Sequence, residues 1–324
     1  MFPRRTTAAL ALAAFAVAGC AGDEPAQTPD PTPTTSETAA AGLSVAVASY
    51  DLAVGDDQRF IAGLFTADRE VVLGGEIEMR FFYLGEDGTA ASPEPVTDNV
   101  TGVFLPVPGK DPDTPLDEAT VVAPADAAGV YEATVDFDQP GFYGLAVRVP
   151  LADGSTQQAN ANFQVAAEHE VPTVGDPAPD AANRTVDGDW DPVAIDSRTQ
   201  GEDAEVPDPE LHTVRIPEAL QDDSRPLVVV VSTPTYCVSQ FCGPITETVA
   251  GLAETHGDRA DFVHLEVWED FENTVLNNAA AAWIQTEDGG AEPWVFYVAP
   301  DGTIEARWDN VLDEAELVGL LEAA

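Results

Sequence analysis

Lysine is almost missing. Of 13 basic residues in 324 positions only Lys110 is a lysine, and 58 Asp and Glu bring the formal charge to −45. A surface of that sign repels phosphate backbones, which excludes nucleic-acid binding. Cysteine is scarce as well, at three residues, Cys20, Cys237 and Cys242. Beyond the first 20 residues no apolar run reaches the roughly 18 that a spanning helix requires. There is no glycine-rich phosphate cradle (Gly289-Gly290 reads as a loop), no paired His–Glu–His spacing for zinc and no Gly-x-Ser-x-Gly elbow. What is present suffices for folded cores: 44% hydrophobic and 8% aromatic residues, over a length that accommodates about two domains.

The chain opens with Arg4-Arg5 and a ten-residue apolar run over 8–17, the pattern of a signal-peptide core. That run leads into Val17-Ala18-Gly19-Cys20, which resembles the bacterial lipobox. The resemblance implies cleavage before Cys20, its acylation, and an extracytoplasmic protein tethered to the outer face of the membrane. Residues 21–42, rich in Pro, Thr, Ala and acids and without an aromatic, read as a disordered stalk.

Residues 43–167 contain neither cysteine nor tryptophan. Apolar residues alternate with polar ones at Ile77, Met79 and Phe81, at Tyr131, Ala133, Val135 and Phe137, at Tyr143, Leu145, Val147 and Val149, and at Ala161, Phe163 and Val165. Period-two patterning predicts half-buried strands, and Asp-Gly at 87–88 and 153–154 and Pro-Gly at 108–109 and 140–141 supply turns. The segment resembles an all-β immunoglobulin-like sandwich, without the inter-sheet disulfide of antibody domains. Its expected role is that of a spacer or partner-binding module.

Residues 168–211 form a Pro- and Asp-rich connector, and from 212 to 324 strands and helices alternate. Residues 227–231 are an unbroken apolar run, as in a strand covered on both faces. Helices are predicted over 244–255 and 272–284, strands over 262–268, 294–298 and 303–308, and a last helix after the capping pair Asp313 and Glu316. Cys237 and Cys242 follow the apolar strand directly, with Gly243-Pro244 opening a helix behind them. A thiolate is stabilised near a helix N-terminus, so this placement suits redox chemistry. On a continuous helix residues five apart point about 140° away from each other, so a disulfide between these two requires Cys237 to lie in a loop. A static clip is the competing reading, but a loop this short gives a disulfide little chain entropy to remove.

The strand–cysteine–helix order, the segment Val174-Gly175-Asp176-Pro177-Ala178-Pro179-Asp180, and Glu292-Pro293-Trp294-Val295-Phe296 resemble the redoxin-type thioredoxin superfamily over 174–324. The resemblance implies an α/β thioredoxin fold, a cis peptide before Pro293, and a thiol–disulfide oxidoreductase needing no cofactor or metal. Cys237 and Cys242 would be catalytic, and Tyr236, Pro293 and Trp294 would contact thiol or disulfide substrates. The four intervening residues depart from the usual Cys-x-x-Cys. Peroxiredoxins of the Q type share the wider spacing, but Thr233 lies four residues before Cys237 rather than three, and Arg307 is the only late arginine. Thus a thiol peroxidase is one alternative. A non-catalytic binding lipoprotein or a copper-delivery protein is another, although none of His169, His212, His256 and His264 lies beyond the proline strand to serve as the copper ligand, and each reads as structural. Thioredoxin's buried acid has no match in 228–231; Glu266 on the next strand is the candidate substitute.

Overall fold

The alternating segments fold as strands wherever one side-chain row can face a core. In the computed structural model, which describes residues 42–90, 92–110, 116–123, 128–199, 204–222, 224–239, 241–286 and 289–324, ten strands precede residue 167. They are β1 (Ser44–Val47), β2 (Gly55–Phe65), β3 (Val71–Leu73), β4 (Glu76–Gly85), β5 (Glu94–Pro95), β6 (Val100–Pro106), β7 (Thr120–Val122), β8 (Gly129–Phe137), β9 (Gly141–Pro150) and β10 (Thr156–Val165). The residues expected to form a signal peptide, Cys20, and those expected to form a stalk except Gly42 lie outside the described residues.

Hydrogen bonds join these strands in the order β10-β9-β4-β6-β8-β2-β3-β7, with β1 on β2 and β5 on β4, every pairing antiparallel. The inward rows are the ones the alternation marks: Ile77, Met79 and Phe81 are buried between exposed Glu78 and Arg80. Phe60, Phe81, Phe137, Tyr143 and Phe163, from five different strands or turns of this one sheet, meet with ring centroids 4.9–6.1 Å apart. The sheet therefore curls over a single aromatic core.

A second sheet has the order β12-β11-β17-β18, built from β11 (Leu227–Ser232), β12 (Asp261–Glu266), β17 (Trp294–Val298) and β18 (Ile304–Asp309). Leu227–Ser232 is buried throughout and paired on both sides, which accounts for its uninterrupted apolar run. Helices α2 (Cys242–His256) and α4 (Glu314–Ala323) bury Ile245, Val249, Leu317 and Leu321 against Val228 and Val230. Asp313 caps α4 by accepting from the backbone N–H of Glu316 at 3.0 Å, as the capping pair predicts. The two-stranded hairpins β13 (Trp268–Asp270) with β14 (Val275–Leu276), and β15 (Gln285–Thr286) with β16 (Gly289–Gly290), flank α3 (Asn278–Ile284); α1 (Ile216–Ala219) is a single turn.

These observations correct the expected fold class, an all-β immunoglobulin-like sandwich followed by an α/β thioredoxin fold. The described residues are mostly β, with 40% strand, 16% helix and four α-helices among them, and their largest sheet is antiparallel. Instead of two facing sheets, the N-terminal strands form one connected network. Among the described residues β11–β12 is the only parallel pair of named strands. The helix predicted over 272–284 shrinks to Asn278–Ile284 for local reasons. Thr274 takes the left-handed conformation (φ 55°) that turns β13 into β14, and the Asn277 side chain caps α3 by accepting from Ala279 N–H. The apolar spacing there serves a hairpin and then a helix, so its helical period was only half real.

The described residues form one compact unit, and Arg59 on β2 is a main tie across it. Its guanidinium donates to the Asp309 carboxylate at 2.7 Å, to the carbonyls of Asp309 and Val311 at 3.0 and 2.8 Å, and to Glu132 at 2.7 Å. Arg59→Met strands the buried Asp309 charge and should lower unfolding free energy by about 3–5 kcal/mol. Urea unfolding followed by tryptophan fluorescence measures this; a change below about 1 kcal/mol would show the tie to be dispensable.

Candidate functional site

The two sulfurs sit where β11 hands the chain to α2. Thr233 closes a turn by accepting from the N–H groups of Tyr236 and Cys237 at 3.2 and 3.0 Å, so the chain reverses before a helix can start. Helix α2 begins at Cys242, with Pro244 inside its first turn. Cys237 and Cys242 are joined in a disulfide across a sequence separation of 5, with Cα atoms 6.1 Å apart. One member is in the loop and the other at the helix start, as a bond across this spacing requires. Cys242 is fully buried, whereas Cys237 is half-buried and followed by Val238, which is 97% exposed.

The acid at the sulfurs is Glu292. Its carboxylate and both Sγ atoms lie within 4.8 Å of one another. Burial, reinforced by repulsion from Glu266 and only partly offset by the Thr233 N–H, pushes its carboxyl up to about 8. Oε2 is buried and has no hydrogen-bond partner among the described residues. At neutral pH this is a carboxylic acid able to give a proton to a leaving thiolate; slightly above, it is a base for a thiol. Glu266, the substitute suggested by sequence, is buried but otherwise engaged: its carboxylate accepts from Ser197 N–H at 2.8 Å and Trp268 N–H at 3.3 Å. Burial also raises its pKa, against the pull of His264 and of hydrogen bonds from Thr233 and Ser197.

Around this centre Ser239 Oγ lies 3.2 Å from Cys237 Sγ. The Tyr50 hydroxyl, from the loop ahead of β2, donates to the Glu292 carbonyl at 2.9 Å and has Ser239 as a further hydrogen-bond partner. Burial, then Asp309, hold that phenol far above its ordinary pKa, so it acts as a fixed donor. On the solvent side Tyr236 stacks flat on Phe271 at 4.0 Å, with Trp268 edge-on to Phe271 at 5.5 Å. A recess of about 170 Å³ lined by Trp268, Leu276, Ile284 and Gly290 reaches Glu292.

The Glu292–Pro293 peptide is cis, as expected. Trp294 is placed differently from the expectation that it lines the sulfurs. Its indole is buried with Val229, Val231 and Phe296, on the sheet face opposite the one α2 covers. Arg307 lies over its ring at 5.2 Å. Arg307 itself donates to Asp51 at 2.9 Å and to the carbonyls of Val171 and Pro172, with His169 Nδ1 at 2.8 Å. Tyr236 thus stays beside the cysteine pair, Pro293 carries Glu292 to it, and Trp294 and Arg307 belong to the support behind it. Sequence reasoning quoted Glu292 only as the neighbour of Pro293 and missed Tyr50 and Ser239; the placement of Glu292 one residue before the proline was the one available signal.

No family model matches the chain, and no curated protein matches it.

Proposed function

We propose that the protein is a thiol–disulfide oxidoreductase working through Cys237 and Cys242. The reading is carried by one observation: a half-buried cysteine bonded to a fully buried one at a helix start, with the Glu292 carboxyl, whose Oε2 has no partner among the described residues, against both sulfurs. In the oxidised protein a substrate thiolate attacks Cys237 Sγ, a mixed disulfide forms, and Cys242 leaves with the electron pair of the broken bond. The first-turn N–H groups and the helix dipole stabilise that thiolate, and Glu292 supplies its proton. In a second step Glu292 takes the proton back, Cys242 attacks Cys237 Sγ, and the substrate departs as a thiolate with the disulfide restored. Alternatively, a second substrate thiolate attacks the substrate sulfur of the mixed disulfide, Cys237 leaves as the thiolate with the electron pair of that bond, and the pair ends reduced with the substrate oxidised to its disulfide. The Tyr236–Phe271 shelf and the apolar recess suit a polypeptide or small molecule whose sulfur is flanked by apolar groups.

The lipobox resemblance at Cys20 supports placing this activity outside the cytoplasm, on a membrane-tethered chain. Among the described residues no helix is long and apolar enough to cross a membrane.

The test is a redox titration of the full chain with glutathione or dithiothreitol couples, trapping thiols by alkylation and reading the mass shift. A reversible two-electron transition between dithiol and disulfide is expected, together with catalysed exchange of a disulfide substrate. A pair that stays in one state at every potential would make it a structural clip. Rapid, thiol-dependent consumption of hydrogen peroxide lost in Cys237→Ser would instead make the protein a peroxidase.

A further inference from the structure

Behind the cysteine loop, three side chains with no role in sulfur chemistry meet in the protein interior. Asp196, His212 and His264 have fully buried side chains. Asp196 Oδ2 stands 3.5 Å from His212 Nε2 and 3.5 Å from His264 Nδ1. That is longer than a good charge-assisted hydrogen bond, about 2.7–2.9 Å. It is close to the edge, roughly 3.3–3.5 Å, of a tetrahedron whose centre lies 2.0–2.1 Å from nitrogen and oxygen ligands. Neither ring nitrogen of His212, nor His264 Nδ1, has a hydrogen-bond partner among the described residues.

The tautomer of His264 sharpens the point. Its Nε2 lies 3.1 Å from the Ser232 carbonyl, which can only accept, and 3.0 Å from the Ser232 hydroxyl, whose own proton goes to Thr246 Oγ1 because Thr246 donates to the Cys242 carbonyl, so Nε2 carries the proton. In the neutral ring Nδ1 then turns a lone pair toward a carboxylate oxygen that is itself only an acceptor. Something positive belongs between them. Arg198 also holds Asp196, donating at 2.6 Å to the same Oδ2 and at 3.0 Å to Oδ1, and it pairs with Asp208 at 2.7 Å. Asp196 and Asp208 thus share one guanidinium, an imbalance that a further cation offsets.

We infer that Asp196, His212 and His264 form a binding site for a zinc-type divalent metal, two imidazoles and one carboxylate with a fourth vertex left to water. Borderline-soft N/O donors of this kind suit zinc and its first-row neighbours over calcium or magnesium. The outer contacts are those of a built metal site: a backbone carbonyl orients His264, and a guanidinium orients the carboxylate. The site also braces the redox loop. Ser197, next to Asp196, receives the Thr235 N–H on its hydroxyl at 3.1 Å and the Thr235 hydroxyl on its carbonyl at 2.8 Å. Because the cluster is closed to solvent, the ion must be acquired during folding.

The experiment uses the full chain carrying Cys20→Ser with the Cys237–Cys242 disulfide intact, so that thiolates cannot serve as ligands. The protein is refolded with cobalt(II) or zinc(II), or with EDTA, and dialysed. The expected result is about one retained cobalt, with visible ligand-field absorption and no sulfur charge-transfer band, and a higher melting temperature after refolding with zinc than with EDTA. His212→Gln, which breaks no hydrogen bond, should lower metal affinity by more than about tenfold, the loss that even an outer partner can cause. No retained metal and identical melting with zinc and EDTA would overturn the site, leaving a proton on His264 as the balancing charge. Retention unchanged in His212→Gln would overturn it as well.

Discussion

In a Cys20→Ser background, Cys242→Ser, reduced and mixed with an aromatic disulfide, is expected to accumulate a mixed disulfide on Cys237, while Cys237→Ser accumulates none on Cys242. The asymmetry follows from exposure, since the Cys242 side chain is closed to solvent and Cys237 is half-open beside the fully exposed Val238. In the wild type the mixed disulfide is expected to be resolved from within, because the oxidised pair shows that Cys242 Sγ can reach the sulfur it must attack. Well-placed intramolecular reactions reach effective molarities of about 10⁵ M or more. External thiol at millimolar concentration cannot match that, so removal of the inner nucleophile should prolong the mixed disulfide by at least about a thousandfold. Mass spectrometry of quenched samples reads the adduct directly. Equal labelling of the two single variants would contradict the assigned order of attack.

Glu292→Gln should divide the pH dependence of rate from that of stability. In the folded protein its carboxyl titrates at about 8, against about 4.3 in an unfolded chain. Between those values the folded state holds a proton that the unfolded state has released. The contribution of this residue to stability is therefore complete below about pH 4.3 and is lost progressively as pH rises to 8. Glutamine cannot ionise, so at pH 9 the variant should be more stable than wild type by about 2–4 kcal/mol, below the full shift because the carboxyl keeps some solvent contact. At pH 4 the difference should nearly vanish. Urea unfolding of the oxidised proteins at both pH values measures this without interference from free thiols. In the reduced proteins, the resolving step above pH 8 should slow about a hundredfold in the variant, the scale of a lost general base. A stability difference independent of pH would show that Glu292 is not a buried titrating group.

Which parts of this site a reader of the sequence can reach depends on how far apart the interacting residues lie. The loop position of Cys237 follows from helical geometry applied to five residues, and the cis peptide at Pro293 from a local resemblance. The acid does not follow in this way. Glu266 stood on the expected neighbouring strand, yet its oxygens are taken by Ser197 and Trp268 N–H groups, and Glu292 occupies the position against the sulfurs. Trp294 looked like a lining residue because it adjoins Pro293, but strand alternation sends its ring to the face opposite α2. The fold class failed for a related reason. Alternation marks strands correctly without saying whether neighbours join into one sheet or two, and an alanine-rich window around α3 hid a hairpin.

What the sequence determined by itself is therefore the local structure. The period-two rows of β4, β8 and β9, the doubly covered β11, the start of α2 behind Cys242 and the Asp313 cap are each fixed by forces acting within a few residues. Tertiary structure alone decided the chemistry around the sulfurs. Tyr50 reaches the Glu292 carbonyl across 242 positions, Arg59 reaches Asp309 across 250, and Asp196 meets histidines from two other segments. No local pattern encodes such partners, because a buried polar group is indifferent to where in the chain its counterpart originates. It requires only that burial be compensated, and the packing of the whole unit selects which residue does so.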